Sequence, residues 1–329
     1  MRALVVPSLD GPSAAHLVDD APEPSEPHHR ARGQRVLVEV RAAGLSVIDA
    51  LQASGAYQYG APVPYVAGSE IAGVVLEADP ASGFAPGDRV GSIVFWGGLA
   101  ERAVVAPEYT IALPDDVDDV HGASVYLNYS TAWYAYERAR VQAGQAVIVH
   151  GAAGGVGTAA LDLAAVFGVR AIAVVSSAEK EQVARAAGAA DVVRSDGPWR
   201  QQVLELTGGR GVDIVLDPVG GDRFTDSLRA LRVGGTLVVI GFAGGSIPQV
   251  KVNRLLLRNL TVTGVSMDTM DAEHPGTLRR VRDAVQGLLA DGRLHPLVGA
   301  TYPFSQAAAA LVASGEGRTA GKIVVRVSD

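Results

Sequence analysis

Residues 150–157 read HGAAGGVG, and this stretch decides how the middle of the chain folds. It follows a short apolar run, residues 146–150, and precedes a segment rich in Ala and Leu, residues 157–167. A strand, a glycine-rich turn and a helix in this order are typical of a dinucleotide-binding fingerprint. Gly154 would let the main chain approach a pyrophosphate, and Gly157 would let the helix lie close to the strand.

The start of this helix is the predicted phosphate site. Main-chain N–H groups in the first turn of a helix have no partner within it, and the helix dipole favours an anion beside them. A glycine-rich turn without a ligand is the alternative, but the flanking strand and helix favour the cofactor. The predicted contacts are Ala152, which stands where the fingerprint has its first glycine, Gly154, Gly155, Val156 and Gly157.

Outward from this turn, apolar strands and helices alternate. Buried β-branched strands that alternate with helices predict the α/β class and a doubly wound parallel sheet. The predicted strands are residues 146–150, 171–175, 212–216, 236–240 and 260–264, and the predicted helices are residues 120–140, 157–167, 178–187 and 277–290.

The first third of the chain has a different pattern. Short strands separated by Gly and Pro clusters predict a small, barrel-like β domain. A last apolar run, residues 322–327, is expected to rejoin it. The predicted domains are therefore residues 1–122, completed by residues 293–329, and residues 123–292. The predicted strands of the first third are residues 2–6, 34–40, 71–77 and 89–95.

The end of the second α/β strand indicates which dinucleotide would bind. An acidic residue usually follows that strand and binds the ribose hydroxyls of NAD. Here Ser176 and Ser177 follow it, and Lys180 comes one helical turn later, so a 2′-phosphate would meet hydroxyls and a cation. The alternative is that Lys180 is only a solvated helix residue. Arg194 and Arg318 are further candidates for the same phosphate.

Composition excludes several classes of protein. The 329 residues are 48% hydrophobic and 19% charged, which suits about two domains with buried cores. The net charge of −7 argues against nucleic acid as a partner. The absence of cysteine excludes disulfides, thiolate catalysis and cysteine–zinc sites. The first residues are too briefly apolar for a signal peptide, and no apolar run is long enough to span a membrane, so the predicted location is cytoplasmic.

Five motifs together resemble the medium-chain dehydrogenase/reductase superfamily, in its zinc-free quinone oxidoreductase (zeta-crystallin-like) branch. The resemblance covers nearly the whole chain. Residues 68–74 (GSEIAGV) resemble the superfamily's GxExxGxV signature, and residues 42–49 (AAGLSVID) its AAGxNxxD segment. The other three are residues 54–57 (SGAY), 127–132 (LNYSTA) and 253–265 (NRLLLRNLTVTGV).

The resemblance implies a GroES-like β-rich catalytic domain, a Rossmann domain and a cleft between them. It implies NADPH-dependent reduction of quinones, enones or enoyl thioesters by a homodimer or homotetramer, with the last Rossmann strand often pairing across subunits. Zinc-dependent relatives use Cys, His and Glu as metal ligands. The matching positions here carry Ser46 and Ser69, so Glu70 is left alone and no metal site is expected.

The same resemblance suggests the reacting groups. Tyr57 is the candidate proton donor, or alternatively an aromatic side chain that only packs on the substrate. Ser46 stands where the family usually has Asn near the nicotinamide, a departure that hints at a different substrate, and Asp49 would shape the same end of the site or merely cap a turn. Cofactor contacts are expected from Asn128 and Thr131, one of which could instead be a helix N-cap, and from Gly241, Phe242 and Ala243 after the predicted strand 236–240.

Without a metal ion a simple carbonyl is hard to polarise, so a conjugated acceptor is the expected substrate. Hydride would go to its β-carbon, and the enolate would take up a proton. Two alternatives stay open: a non-catalytic, crystallin-like dinucleotide-binding protein, and a tailoring reductase of secondary metabolism. His150 is expected to be structural, and His28 and His29 to be a solvated pair.

Overall fold

The structure is a computed structural model that describes residues 1–26, 34–317 and 319–328. Arg318, His28 and His29 lie outside the described residues. The strands are β1 Ala3–Val6, β2 His16–Val18, β3 Val36–Leu45, β4 Tyr65–Val66, β5 Glu70–Ala78, β6 Arg89–Ile93, β7 Arg102–Val105, β8 Thr110–Ala112, β9 Ala146–His150, β10 Arg170–Val175, β11 Asp191–Arg194, β12 Val212–Asp217, β13 Leu231–Val239, β14 Thr261–Gly264, β15 Val298–Pro303 and β16 Lys322–Arg326.

Helices occupy much of the remaining described chain, and none of them combines the length and apolar character that crossing a bilayer requires. They are α1 Val47–Ala53, α2 Asp119–Gly122, α3 Tyr126–Arg138, α4 Gly155–Phe167, α5 Ala178–Ala186, α6 Trp199–Leu206, α7 Phe224–Ala230, α8 Asn253–Arg258, α9 Met267–Glu273, α10 Thr277–Ala290 and α11 Ala307–Gly315.

The chain divides into two compact units. Unit 1 comprises Met1–Leu127, Leu278–Gly292 and Pro296–Asp329, and unit 2 comprises Asn128–Thr277 and Arg293–His295. The division differs from the predicted boundaries chiefly at α10. The contacts of α10 explain this, because Arg282 Nη1 donates to Pro107 O at 3.2 Å and Gln286 Oε1 accepts from Ala112 N at 3.1 Å.

Unit 1 is built on β-sheets. Its larger sheet has the order β15-β16-β3-β5-β6-β8, with β7 also paired to β3, and a smaller sheet has the order β2-β1-β4. The long strand β3 buries alternate residues such as Val36, Val38 and Val40 in the unit's core. The last strand, β16, pairs antiparallel with β3 in this sheet.

Unit 2 contains the predicted doubly wound parallel sheet. Its strand order is β11-β10-β9-β12-β13-β14, and every pair is parallel. The order reverses between β9 and β12, which is the point where such sheets bind ligands at their carboxyl ends. The α/β fold class, with its β-rich domain and its Rossmann-like domain, is therefore confirmed.

Two local predictions for this part of the chain were wrong. Residues 120–140 form not one helix but two, because the side chain of Asp118 caps the short α2 and a new helix begins at Tyr126. Strand β11 was missed, since its sequence DVVR has only two apolar residues between charged ends. It pairs with β10 at the outer edge of the sheet, where one buried valine, Val193, is enough to pack the strand against the core.

Candidate functional site

The glycine-rich turn of unit 2 leads directly from β9 into α4. Gly151 has a left-handed backbone with φ of 57°, so it makes the turn, and Ala152 needs no such conformation. This explains how an alanine can stand at the fingerprint's first glycine. Gly154 is the N-cap of α4, and no capping side chain stands at this position. The start of α4 is therefore suited to an anionic ligand.

The space beside two glycines at the start of α4 is small. A Cβ at position 157 would lie 2.3 Å from the carbonyl oxygen of Gly151, so only glycine lets the helix approach the turn. A Cβ at position 155 would lie 2.7 Å from the side-chain amide of Asn128. At position 154, by contrast, the nearest atom is Gly151 O at 3.3 Å. Gly154 is exposed and offers an approach to the main chain.

The end of β10 presents the polar groups expected for a 2′-phosphate. Ser177 is the N-cap of α5, and its Oγ accepts from Lys180 N at 3.3 Å. The ammonium of Lys180 donates to the Oγ of the exposed Ser176 at 3.3 Å. The hydroxyls and the cation thus lie together in one short segment. Glu179 and Glu181 lie in the same first turn of α5 and reduce its positive charge.

Arg194 lies beside this segment, although its charge is already paired. It is the register neighbour of Val175, the last residue of β10, and it forms an exposed ion pair with Asp196. That pairing weakens it as a phosphate ligand. Arg318, the other proposed arginine, lies outside the described residues.

The segment after β13 lies beside the turn after β12. Ile240 N and Gly241 N both donate to Asp217 O, and Ala243 N donates to Pro218 O at 3.1 Å. Gly241 and Phe242 are half-buried, whereas Ala243 is exposed. The predicted contacts 241–243 are therefore held at the carboxyl edge of the sheet by main-chain hydrogen bonds.

Asn128 and Thr131 both lie inside α3, which begins at Tyr126. Neither can be the N-cap of that helix, so the capping alternative for them was wrong. Asn128 is buried against Gly155 at the start of α4, which brings it to the glycine-rich turn. Thr131 is half-buried one turn further along the helix.

In unit 1, Ser46 and Asp49 form a capping box at the start of α1. Ser46 Oγ accepts from Ile48 N at 3.2 Å, and Asp49 Oδ2 accepts from Ser46 N at 2.8 Å. The hydroxyl of Ser69 also donates to Asp49 Oδ2, at 3.0 Å. Burial raises the pKa of Asp49, while these donors and the charge of Lys322 oppose the rise. The capping role weighed for Asp49 is present in the fold.

Glu70 and Lys322 form a buried ion pair next to this capping box. Lys322 Nζ lies 2.6 Å from Glu70 Oε2, and the side chains are 2% and 0% exposed. Glu70 Oε1 also accepts from Leu127 N at 2.8 Å. Burial raises the pKa of Glu70, and the ammonium of Lys322 opposes that rise. Sequence reasoning missed Lys322; its signal was a lysine directly before the apolar residues 323–325 of β16.

Tyr57 lies in the loop after α1, half-buried, with its ring packed edge-on to Tyr59 at 5.5 Å between centroids. This position is compatible with both roles considered for it. His150 is fully buried, and its Nε2 lies 2.8 Å from Ser227 Oγ, as expected for a structural histidine. In the described ranges, no group of three or more His, Cys, Asp or Glu side chains could hold a metal ion.

Comparison with known proteins identifies the family. The model of the alcohol dehydrogenase GroES-like domain matches residues 32–115, and that of the zinc-binding dehydrogenase matches residues 155–283. Quinone oxidoreductase-like protein 2 of Rattus norvegicus is 34% identical, over 98% of this chain and 91% of its own length.

Solved structures of similar proteins support the same family. A native mycobacterial structure complexed with NADPH is 32% identical, has a TM-score of 0.88, and matches over 99% of this chain and 100% of its own. The quinone oxidoreductase from Thermus thermophilus, also described in complex with NADPH, is 33% identical with a TM-score of 0.82 and the same coverage. The chain is thus an oxidoreductase and belongs to the quinone oxidoreductase branch of the medium-chain dehydrogenase/reductase superfamily.

Proposed function

We propose that this protein is a zinc-independent, NADPH-dependent reductase that transfers hydride to a quinone, an enone or an enoyl thioester. The observation that carries the proposal is the uncapped start of α4, with Ser176, Ser177 and Lys180 at the end of the neighbouring strand. Together they offer main-chain donors to a pyrophosphate and a cation to a 2′-phosphate. Two structural relatives described in complex with NADPH support this choice of cofactor.

Zinc independence is supported by the chemistry of the residues that remain. The chain has no cysteine, and the two serines at the expected ligand positions both donate to Asp49. The carboxylate of Glu70 is already neutralised by Lys322. Zinc in such proteins is bound by thiolates, imidazoles and carboxylates. Two serine hydroxyls and one carboxylate that is already paired with a lysine are therefore a poor set of zinc ligands.

A conjugated acceptor fits a site without a Lewis acid. When bound there, NADPH would supply the hydride for the β-carbon of the acceptor, and one proton from a neighbouring donor would complete the reduction. Tyr57 is the proposed proton donor. Ser46 offers a short hydroxyl whose orientation is set by Asp49. Binding by Asn128, Thr131 and residues 241–243 would hold the cofactor in place.

The assembly is proposed to be a homodimer formed through unit 2. In the described part of the chain β14 is the last strand of its sheet, and Leu256 and Leu257 on the preceding helix are 77% and 76% exposed. An open strand edge beside exposed leucines is well suited to pairing with a second copy. Light scattering checks this, and a mass of one chain, 33.9 kDa, at all concentrations would contradict it.

The function is tested by following the oxidation of NADPH and NADH with quinones, enones and enoyl thioesters as acceptors. NADPH should be oxidised with at least one acceptor class, and chelators should leave the rate unchanged. In Tyr57→Phe, loss of the phenolic proton should lower turnover about 10²-fold if Tyr57 is the acid. Cofactor binding without oxidation would favour the non-catalytic alternative, and efficient oxidation of simple alcohols alone would refute the conjugated acceptor.

A further inference from the structure

The carboxyl ends of β9 and β12 carry two buried polar side chains that hydride transfer does not use. These are His150 and Asp217, which are 0% and 1% exposed. Val149 and Leu216 are register partners, so the next residue of each strand places His150 beside Asp217 on the same face of the sheet. The site around them lies at the point where the strand order reverses.

The carboxylate of Asp217 shapes the turn that follows β12. Its Oδ1 accepts from Val219 N at 3.0 Å and from Gly220 N at 2.9 Å. Gly220 has a φ of 66°, a left-handed conformation that favours glycine, and a Cβ there would lie 3.0 Å from the ring of Phe242. The side chain of Asp217 thus stabilises a turn that lies directly against one of the proposed cofactor contacts.

This turn holds two separate parts of the proposed cofactor site. On one side, Ala243 N donates to Pro218 O and Gly244 N donates to Val219 O at 2.9 Å. On the other side, Gly151 approaches Val219 so closely that a Cβ on the glycine would lie 3.0 Å from Val219 Cγ2. A shift of the turn would therefore move both the glycine-rich turn and residues 241–243.

His150 stabilises the same region without competing for this carboxylate oxygen. Ser227 Oγ donates its hydrogen to Arg223 O at 3.0 Å, so His150 Nε2 is the donor to Ser227 Oγ at 2.8 Å. Burial lowers the pKa of His150 to about 4, with the charges of Asp217 and Arg223 acting in opposite directions. A neutral His150 therefore links β9 to α7, while Asp217 links β12 to the turn.

We infer that Asp217 is a positioning residue of the dinucleotide site, acting through the main chain of Val219 and Gly220 on Gly151 and on residues 241–243. The inference rests on the proposed function, since it assumes that this edge binds NADPH. It adds to that function a residue that touches neither the cofactor nor the acceptor.

The same strand provides a matched control. Asp213, near the amino end of β12, is also buried and accepts from Ala146 N at 2.9 Å and from Arg210 and Arg232. It lies at the end of the strand remote from the turn. Asp213→Ala should therefore destabilise the fold without affecting the dinucleotide edge, whereas Asp217→Ala should affect both.

The test measures NADPH binding by nicotinamide fluorescence, together with KM, kcat and amide hydrogen exchange of the protein without cofactor. Asp217→Ala should raise the Kd and KM for NADPH about tenfold or more, as expected when a buried acceptor of hydrogen bonds is removed. The change in kcat should be smaller. Peptides covering residues 217–221 and 240–246 should exchange faster, and Asp217→Asn, which keeps an acceptor oxygen, should restore most of the affinity.

Unchanged affinity in Asp217→Ala, or an equal loss in Asp213→Ala, would overturn the inference alone. A wild-type protein that binds neither NADPH nor NADH would overturn the proposed function and this inference with it. If Asp217→Ala does not fold, Gly220→Ala tests the same turn with Asp217 intact. It should weaken NADPH binding by displacing Phe242, and an unchanged Kd there would also contradict the inference.

Discussion

The glycine-rich turn of unit 2 and the buried polar cluster of unit 1 are built in opposite ways. The turn is one continuous segment, residues 151–157, and it offers main-chain groups with almost no side chains. The cluster consists of five side chains, brought together from the start of β5, from β16 and from the N-terminus of α1; they are Ser46, Asp49, Ser69, Glu70 and Lys322. The turn should therefore be sensitive to the size of a residue, and the cluster to its charge.

The largest effect is expected from removing the cation of the cluster. Lys322→Met leaves Glu70 buried without its partner, which should lower the free energy of unfolding by about 3–5 kcal/mol. Burial already raises the pKa of Glu70, and without the ammonium that pKa should rise further. Stability should then fall as pH rises from the ordinary glutamate range towards the raised pKa, because the folded state holds the proton more tightly.

Urea unfolding at several pH values measures this loss. The control is the double variant Glu70→Gln with Lys322→Met, which removes both charges and retains an acceptor for Leu127 N. It should regain most of the lost stability and its pH dependence should disappear. An equal loss in the single and the double variant would mean that packing, and not charge, makes this cluster sensitive.

An intermediate effect is expected from size changes in the turn. Gly157→Ala would press a methyl group against Gly151 O and should cost about 1–3 kcal/mol of stability, with weaker NADPH binding. Gly154→Ala meets only one atom, at 3.3 Å, and should cost less than about 1 kcal/mol as an N-cap change. It should nevertheless weaken NADPH binding, because its methyl group would stand where the pyrophosphate approaches.

Thermal unfolding and NADPH titration of the two variants separate these contributions. The comparison between the units predicts a loss of affinity in both variants and a marked loss of stability only in Gly157→Ala. Equal stability of the two variants would show that the main chain of the turn can shift to accept the methyl group. The close approach of α4 would then not be required for the fold.

The smallest effect is expected at Lys180, where the charge is exposed and not buried. Lys180→Ala should lower the preference for NADPH over NADH about tenfold. This is the effect of losing one charge-assisted hydrogen bond, which is weakened here by solvent and by the nearby carboxylates of Glu179 and Glu181. Catalytic efficiency with each cofactor measures it, and Lys180→Arg is the control that keeps the charge. If Lys180→Ala leaves the preference for NADPH unchanged, Lys180 does not determine cofactor specificity.

The same contrast explains how much could be predicted from the sequence. The strands β9, β10 and β12 and the turn before α4 are local features, and each was recognised from a few neighbouring residues. A capping role was considered for Asp49 alone, without its partner Ser46. The pairing of Lys322 with Glu70 depends on β16 lying beside β3 and β3 beside β5. Nothing near either residue in the sequence indicates that order of strands.

The role of Asp217 was not predicted from the sequence, for a different reason. A polar residue at the end of a buried strand was visible in VDIVLD, but its role depends on the conformation of the next three residues. That conformation in turn depends on Gly220 and on the neighbouring segment after β13. The sequence pattern therefore predicts where ligands bind on the sheet, but not which side chains hold the binding loops.

The close approach of Gly155 to Asn128 also constrains how such a protein can change over generations. Any side chain at position 155 would collide with the amide of Asn128 in the preceding helix, whereas a smaller residue at position 128 would collide with nothing at position 155. A substitution at position 155 therefore requires the amide of Asn128 to shift, and it becomes easier once position 128 is smaller. A lineage that keeps Asn128 is thus biased towards glycine at position 155.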